Sequence, residues 1–292
     1  MKDPQPTNRL LLIAAIILFF LLSWPVWQWL WNEWIHNEYY SHGLLIPLVA
    51  GFLAIQRIRL RRPLDAAASP SGSPQVPTVV TTTLGWLWFA ASLILYIFFV
   101  NESAYYLAAF CLVALIAGLV WLFGGKFLLR EWSFPIAYLL LMIPLPFVER
   151  ATYPLAIFAG ICGGGLMQWL GMELSIVGNA VTLPNADLVI GAQCSGINSL
   201  IALSALMILA AYILDGALWG RLILVLLAVP LAIFGNILRI ASLLFVARTY
   251  GVESAFTFYH DYSGVLFFLV VLLFMFPLVR LLQINKLRLD VI

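Results

Sequence analysis

Charge is what this chain has least of. Asp, Glu, Lys and Arg make up 10% of its 292 residues, against about 25% in soluble domains, so a water-facing globular surface is excluded. Carboxylates in particular are missing from the long apolar runs, which argues against a proton- or cation-coupled transporter. The net charge of +2 is too small to imply a nucleic-acid partner. Cysteine is scarce as well. Cys111, Cys162 and Cys194 are scattered with no CxxC spacing, so neither a zinc site nor a disulfide framework is indicated, and no metal or cofactor is expected.

What the chain has is apolar sequence: 64% hydrophobic residues and a mean hydropathy of +1.03. A span needs about 20 apolar residues, and candidates fall at 10–31, 43–57, 84–100, 105–123, 151–171, 196–213, 222–247 and 262–282. The expected fold is therefore an all-α polytopic membrane protein of about eight helices, a single integral membrane domain over 1–292. The first run shows no cleavage site and ends among tryptophans, which reads as a retained helix. The piece from Phe134 to Pro146 is short and carries Pro135, Pro144 and Pro146, which fits a re-entrant or interfacial segment.

Basic residues give the orientation, since cytoplasmic loops collect Lys and Arg. With eight spans and the N-terminus inside, all of the 15 basic residues except Arg239 and Arg248 fall inside. The expected location is a cytoplasmic (inner) membrane with both termini cytoplasmic. Cys194, His260, His36 and His42 are then on the outer face.

Two stretches break the membrane pattern. Residues 63–83 are rich in Pro, Ser, Ala and Thr and read as a flexible cytoplasmic linker. Residues 173–193 alternate β-branched residues with the turn pairs Gly178-Asn179 and Pro184-Asn185, which predicts a small outer β-hairpin or meander leading into Cys194. Its edge suits an extended peptide.

Cys194 stands in Gln193-Cys194-Ser195-Gly196, just before an apolar run. Cys194 or Ser195 is expected in the N-cap region of that helix, where unpaired N–H groups and the helix dipole favour a thiolate. Cys111 and Cys162 lie inside apolar runs and read as small hydrophobes. Arg239, in Gly235-Asn236-Ile237-Leu238-Arg239, is an arginine within a span. Placing one there costs about 2.5 to 3.5 kcal/mol, so a cavity or a partner is expected, and its planar fork suits an oxyanion or carboxylate. The bland alternative is an ion pair with Glu173 or Asp261. His260 lies before the last run, where a histidine serves as a proton shuttle or is simply interfacial. Asp261 can orient it or cap the helix. Asn236 can orient Arg239 or bridge helices. His42, within Tyr39-Tyr40-Ser41-His42-Gly43, belongs to an aromatic interfacial belt or contributes to substrate binding.

The Cys-Ser-Gly at 194–196, the Gly-Asn-x-x-Arg at 235–239, His260 before a final helix and Tyr40-Ser41-His42-Gly43 together resemble the exosortase and archaeosortase family. The resemblance covers essentially the whole membrane core. It implies a membrane-embedded cysteine protease or transpeptidase that cleaves C-terminal sorting signals of exported proteins, such as PEP-CTERM proteins, through a thioester. Under it Cys194 is the nucleophile, Arg239 the stabiliser of the thiolate or transition state and His260 the general acid/base, with Ser195, Asn236, Asp261 and His42 in support. The implied partners are the lipid bilayer, exported proteins ending in a motif, a hydrophobic helix and a basic tail, and an acyl acceptor the sequence does not name. The other classes the residues leave open are a transporter and a non-enzymatic assembly factor for exopolysaccharide or surface-protein secretion.

Overall fold

The computed structural model describes residues 6–68, 79–289 and 291; the side chains of residues 6–16, 61–68, 79–82, 186, 256–258, 260 and 261 lie outside the described set. Of the described residues 81% are helical, with only small sheets among them, and the protein is a polytopic all-α membrane protein. Among the described residues six helices are long and apolar enough to cross a bilayer, or seven when Ser133–Met142 and Phe147–Trp169 count together, against about eight expected. The run at 10–31, which is not among the six, lies in helix α1 (Pro6–His36). The chain divides into two compact units, Met1–Pro144 and Leu145–Ile292.

In the first unit α1 is followed by a 3-10 stretch at Glu38–Leu44, α2 (Leu45–Ala68), α3 (Val79–Asn101), α4 (Tyr105–Glu131) and a short α5 (Ser133–Tyr138) that runs into a 3-10 turn at Leu139–Met142. The stretch read as a linker is helical where described, with 63–68 closing α2 and 79–83 opening α3, while 69–78 lie outside the described residues. Polar atoms on aromatic rings need partners where water is absent, and two of them here take backbone carbonyls from distant elements. Tyr96 on α3, 2% exposed, donates to the Leu22 carbonyl on α1 at 3.0 Å. The Trp34 indole N–H reaches the Met142 carbonyl at 3.0 Å. His42 lies in the Glu38–Leu44 stretch, stacked on Tyr40 with ring centroids 6.0 Å apart.

The second unit runs α6 (Phe147–Trp169), β1 (Ser175–Val177), β2 (Ala180–Leu183), β3 (Ala186–Val189), a 3-10 turn at Ala192–Cys194, α7 (Ile197–Ile213), β4 (Leu214–Asp215), α8 (Leu218–Tyr250), a wide π-type turn at Ser254–Tyr259, α9 (His260–Leu281) and β5 (Lys286–Leu287). The meander predicted for 173–193 is present, antiparallel in the order β1-β2-β3, with Val181 opposite both Ile176 and Leu188. Alternation along β2 buries Val181 and Leu183, and they join Leu188, Ile190, Ala156, Ile240 and Leu244 in one core with Cys194. Small residues let α6 approach α8 closely. A side chain at Gly163 would meet Ile240 Cγ2 at 2.9 Å and the Ile237 carbonyl at 3.1 Å.

Helix α8 has 33 residues, roughly 50 Å at 1.5 Å per residue, so it outruns a hydrocarbon core of about 30 Å. At its C-terminal end Asn185, in the β2–β3 turn, donates to the Ala247 carbonyl at 3.3 Å, which also accepts from the Gly251 N–H at 3.2 Å, so the turn is tied to the helix end. A second core, from Leu203 and Met207 on α7 through Leu224, Ala228 and Ala232 on α8 to Val271 on α9, holds the three helices together. At the other end of α7 the chain terminus folds back, with Leu214 paired to Leu287 and the Arg288 N–H on the Ile213 carbonyl at 2.9 Å.

Candidate active site

Where the meander delivers the chain, the starts of α7 and α9 meet the body of α8. Cys194 closes the 3-10 turn that follows β3, its N–H on the Gly191 carbonyl at 2.9 Å. The helix cap expected at Cys194 or Ser195 is instead Gly196, with φ +71. That left-handed conformation favours glycine, and any Cβ at 196 would also collide with the Asn236 side chain. The Cys-Ser-Gly order is thus fixed by a sharp reversal against α8. Ser195 is buried, and its hydroxyl accepts from the Ile197 N–H at 3.4 Å.

Asn236 is the contact that ties this loop down. Its amide nitrogen donates to the Cys194 carbonyl at 2.9 Å across 42 positions of sequence. Asn236 itself is 6% exposed, and its Oδ1 is buried without a hydrogen-bond partner. The sequence offered helix bridging as one role for Asn236, and the bridge is to the backbone of the cysteine. One turn further along α8 stands Arg239. Its Nε donates to the Ser263 hydroxyl of α9 at 3.1 Å. That partner is a neutral hydroxyl; of the two ion-pair partners the sequence offered, the Asp261 side chain lies outside the described residues. Arg239 lies 11 positions before the end of α8, about three turns, deeper than the two that the predicted span gave.

His260 opens α9 directly after the π-type turn, a feature that often marks functional sites. Its side chain and that of Asp261 lie outside the described residues. Ser263, which sequence reasoning passed over, is buried and stands one turn beyond His260. The i, i+3 spacing from His260 was the available signal. A second link secures the same corner: the Tyr259 hydroxyl donates to Ser242 at 2.8 Å, and Ser242 donates to the Arg239 carbonyl at 2.7 Å. His42 belongs to the first unit, where both of its ring nitrogens are buried without hydrogen-bond partners.

The thiol is 3% exposed. A narrow cleft lies among α7, α8 and α9, with Asn236, Arg239 and Ser199 at its polar end and Leu203, Phe267 and Val271 further along. This arrangement puts a sulfur nucleophile, a guanidinium and an apolar trough within one helical bundle.

Comparison with known proteins gives a match to the family model described as transmembrane exosortase over residues 31–277. Among curated proteins and among solved structures nothing matches the chain. The matched stretch contains the Cys-Ser-Gly loop, the whole of α8 and the start of α9, and it covers well over half of the sequence. The chain therefore belongs to the transmembrane exosortase family, membrane-embedded sorting enzymes of the cysteine transpeptidase type that act on exported proteins with C-terminal sorting signals.

Proposed function

We propose that this protein cuts the C-terminal sorting signal from exported proteins of the PEP-CTERM kind, using Cys194 as nucleophile at the outer face of the cytoplasmic membrane. The observation that carries this is the hold of Asn236, one turn before Arg239 on α8, on the Cys194 carbonyl, where α7 begins.

The thiolate of Cys194 attacks the carbonyl carbon of the scissile peptide bond. The oxyanion that forms is stabilised by the Arg239 fork, a donor that gains strength where water is excluded. The C–N bond then breaks, His260 supplies the proton to the departing amine, and the membrane-anchored tail leaves. A thioester remains on Cys194. An incoming amine, hydroxyl or water gives its proton to His260 and attacks the thioester, and the thiolate departs. Asn236 acts through the backbone, fixing the Cys194 carbonyl so that the thiol keeps its aim. Ser263 holds the guanidinium by its Nε.

The test is co-expression with an exported protein that ends in a short motif, an apolar helix and a basic cluster. Wild type should convert it to a shorter form through an adduct that hydroxylamine releases, and Cys194→Ala should do neither. Equal processing by Cys194→Ala would overturn the reading and favour a transporter or an assembly factor.

A further inference from the structure

The short turns of the meander fix which way each of its backbone groups points. Gly178-Asn179 joins β1 to β2 and Pro184-Asn185 joins β2 to β3, and hydrogen-bonded and non-hydrogen-bonded pairs alternate along an antiparallel ladder. The Ile190 N–H donates to the Asn179 carbonyl at 2.8 Å, so in this register the bonded pairs are Asn179 with Ile190, Val181 with Leu188 and Leu183 with Ala186. Asp187 and Val189, opposite Thr182 and Ala180, therefore turn their N–H and C=O groups away from β2, along the outer edge of β3. Gly191, extended at φ −81 and ψ 174, continues the series with its N–H. Among the described residues none of these groups has a hydrogen-bond partner.

The two edges of the sheet are not alike. On the β1 side the outward groups belong to Ile176 and, just before the strand, Leu174. The Leu174 carbonyl accepts from Gln168 of α6 at 2.9 Å, and a Cβ placed on Gly164 of α6 would meet the side chains of both residues, so α6 closes that edge. The β3 edge lies open, with Val189 64% exposed and Asp187 exposed as well. An open edge is a template for another strand, and strand addition is a recurrent way of holding an extended peptide.

β3 also has a direction. Ahead of it Asn185 holds the Ala247 carbonyl, and beyond it the Cys194 carbonyl is held by Asn236. Ala247 and Asn236 are 11 positions apart on α8, roughly 16 Å, so the strand leads along α8 from the helix's C-terminal end toward the nucleophile. In the proposed orientation an exported protein lies beyond that end and its apolar tail lies in the bilayer. Its chain then runs the same way as β3.

We infer that the stretch of the exported protein just ahead of the cut adds to the meander as a fourth strand, parallel to β3, with its backbone paired to Asp187, Val189 and Gly191. This rests on the proposed cleavage and orientation. In a parallel pair one residue bonds both neighbours of the residue opposite it. One substrate residue therefore donates to the Asp187 carbonyl and accepts from the Val189 N–H, and the residue two further on donates to the Val189 carbonyl and accepts from the Gly191 N–H. At about 3.3 Å per strand residue and about 2.0 Å per 3-10 residue, these two fall roughly five and three residues ahead of the cut. What is recognised is an extended backbone, so exported proteins of unrelated sequence share the site.

The experiment uses the full chain carrying Cys194→Ala in lipid nanodiscs, and the probe is a synthetic peptide that spans the cut and carries the apolar tail. Amide N–H is replaced by ester oxygen one position at a time. Two positions ahead of the cut, separated by one residue, should each lose binding about fivefold, the worth of one hydrogen bond, while the position between them holds. A uniform response, or sensitivity confined to positions behind the cut, would overturn the inference. Val189→Pro removes an outward N–H without touching a ladder bond, a place where an edge strand accepts proline, and should weaken the unmodified peptide about fivefold as well. Unchanged binding by a Val189→Pro protein that melts as its parent does would also overturn it, and if that variant does not fold the ester series decides alone. Alternating ester sensitivity without cleavage by wild type removes the transpeptidase reading and keeps the added strand. Cleavage with a uniform ester response does the reverse.

Discussion

At the residue scale the site depends on three side chains with different tolerances. Arg239 donates through Nε to Ser263, a directional bond that a planar fork makes and an ammonium does not reproduce. Arg239→Lys should therefore slow processing by about 10²- to 10³-fold, the cost of one oxyanion donor, in quantitative co-expression assays. A near-wild-type rate would remove its stabilising role. Gly196→Ala faces both the positive φ, about 1–2 kcal/mol for a residue with Cβ, and the Asn236 side chain. It should abolish adduct formation while the protein still extracts and purifies as a folded species. Adduct at the wild-type level would show that the loop reversal is dispensable. Cys194, Arg239 and His260 stood out as candidates by residue type and place, as a thiol in a polar, glycine-containing loop, a charge inside a span and a histidine before the last apolar run. Asn236 was legible only as a candidate, since nothing in a sequence says that its partner is a carbonyl 42 positions away.

At the scale of elements, helix periods were easy to read and close approaches were not. The runs at 105–123 and 222–247 sit inside α4 (Tyr105–Glu131) and α8 (Leu218–Tyr250), because apolar length alone marks a span. The meander was announced by Gly178-Asn179 and Pro184-Asn185 between β-branched residues, and Gly178 takes φ +64 in the first of those turns. The glycines of α6 carried no such reading, since which of them touches a neighbour depends on packing. The structure separates them. Gly163 abuts Ile237 and Ile240, whereas nothing lies within 4 Å of a Cβ placed on Gly165. Gly163→Val should destabilise the protein by about 1–3 kcal/mol through overpacking. Gly165→Ala should be neutral or stabilising by up to about 1 kcal/mol from helix propensity. Thermal unfolding in detergent compares the two, and an equal response would mean that the α6–α8 contact is not what positions the core under Cys194.

At the scale of the whole molecule the open question is direction. Within the second unit the Cys194 loop lies at the start of α7, whereas β5 and the chain terminus lie at the opposite end, paired to β4. The basic residues at Arg280, Lys286 and Arg288 gather on that terminal side, as an inward-facing end does. A phosphatase that is active only outside the cytoplasm should therefore work when inserted at the exposed turn residue Gly178 and stay silent when fused after Ile292. The reverse pattern would place the thiol inside and remove exported proteins as substrates.

The burial of Cys194 has a consequence for the enzyme's lifetime between encounters. Outside the cytoplasm thiols meet oxidants, and sulfenic acid formation follows thiolate character and access. In the proposed orientation Cys194, 3% exposed and packed in one core with the meander, is sheltered from that fate. Resting enzyme is then expected to keep its reduced sulfur in peroxide, and Asn236→Ala, which unfastens the loop, to accumulate oxidised Cys194 measurable by mass spectrometry. In that sense the asparagine serves as a safety catch.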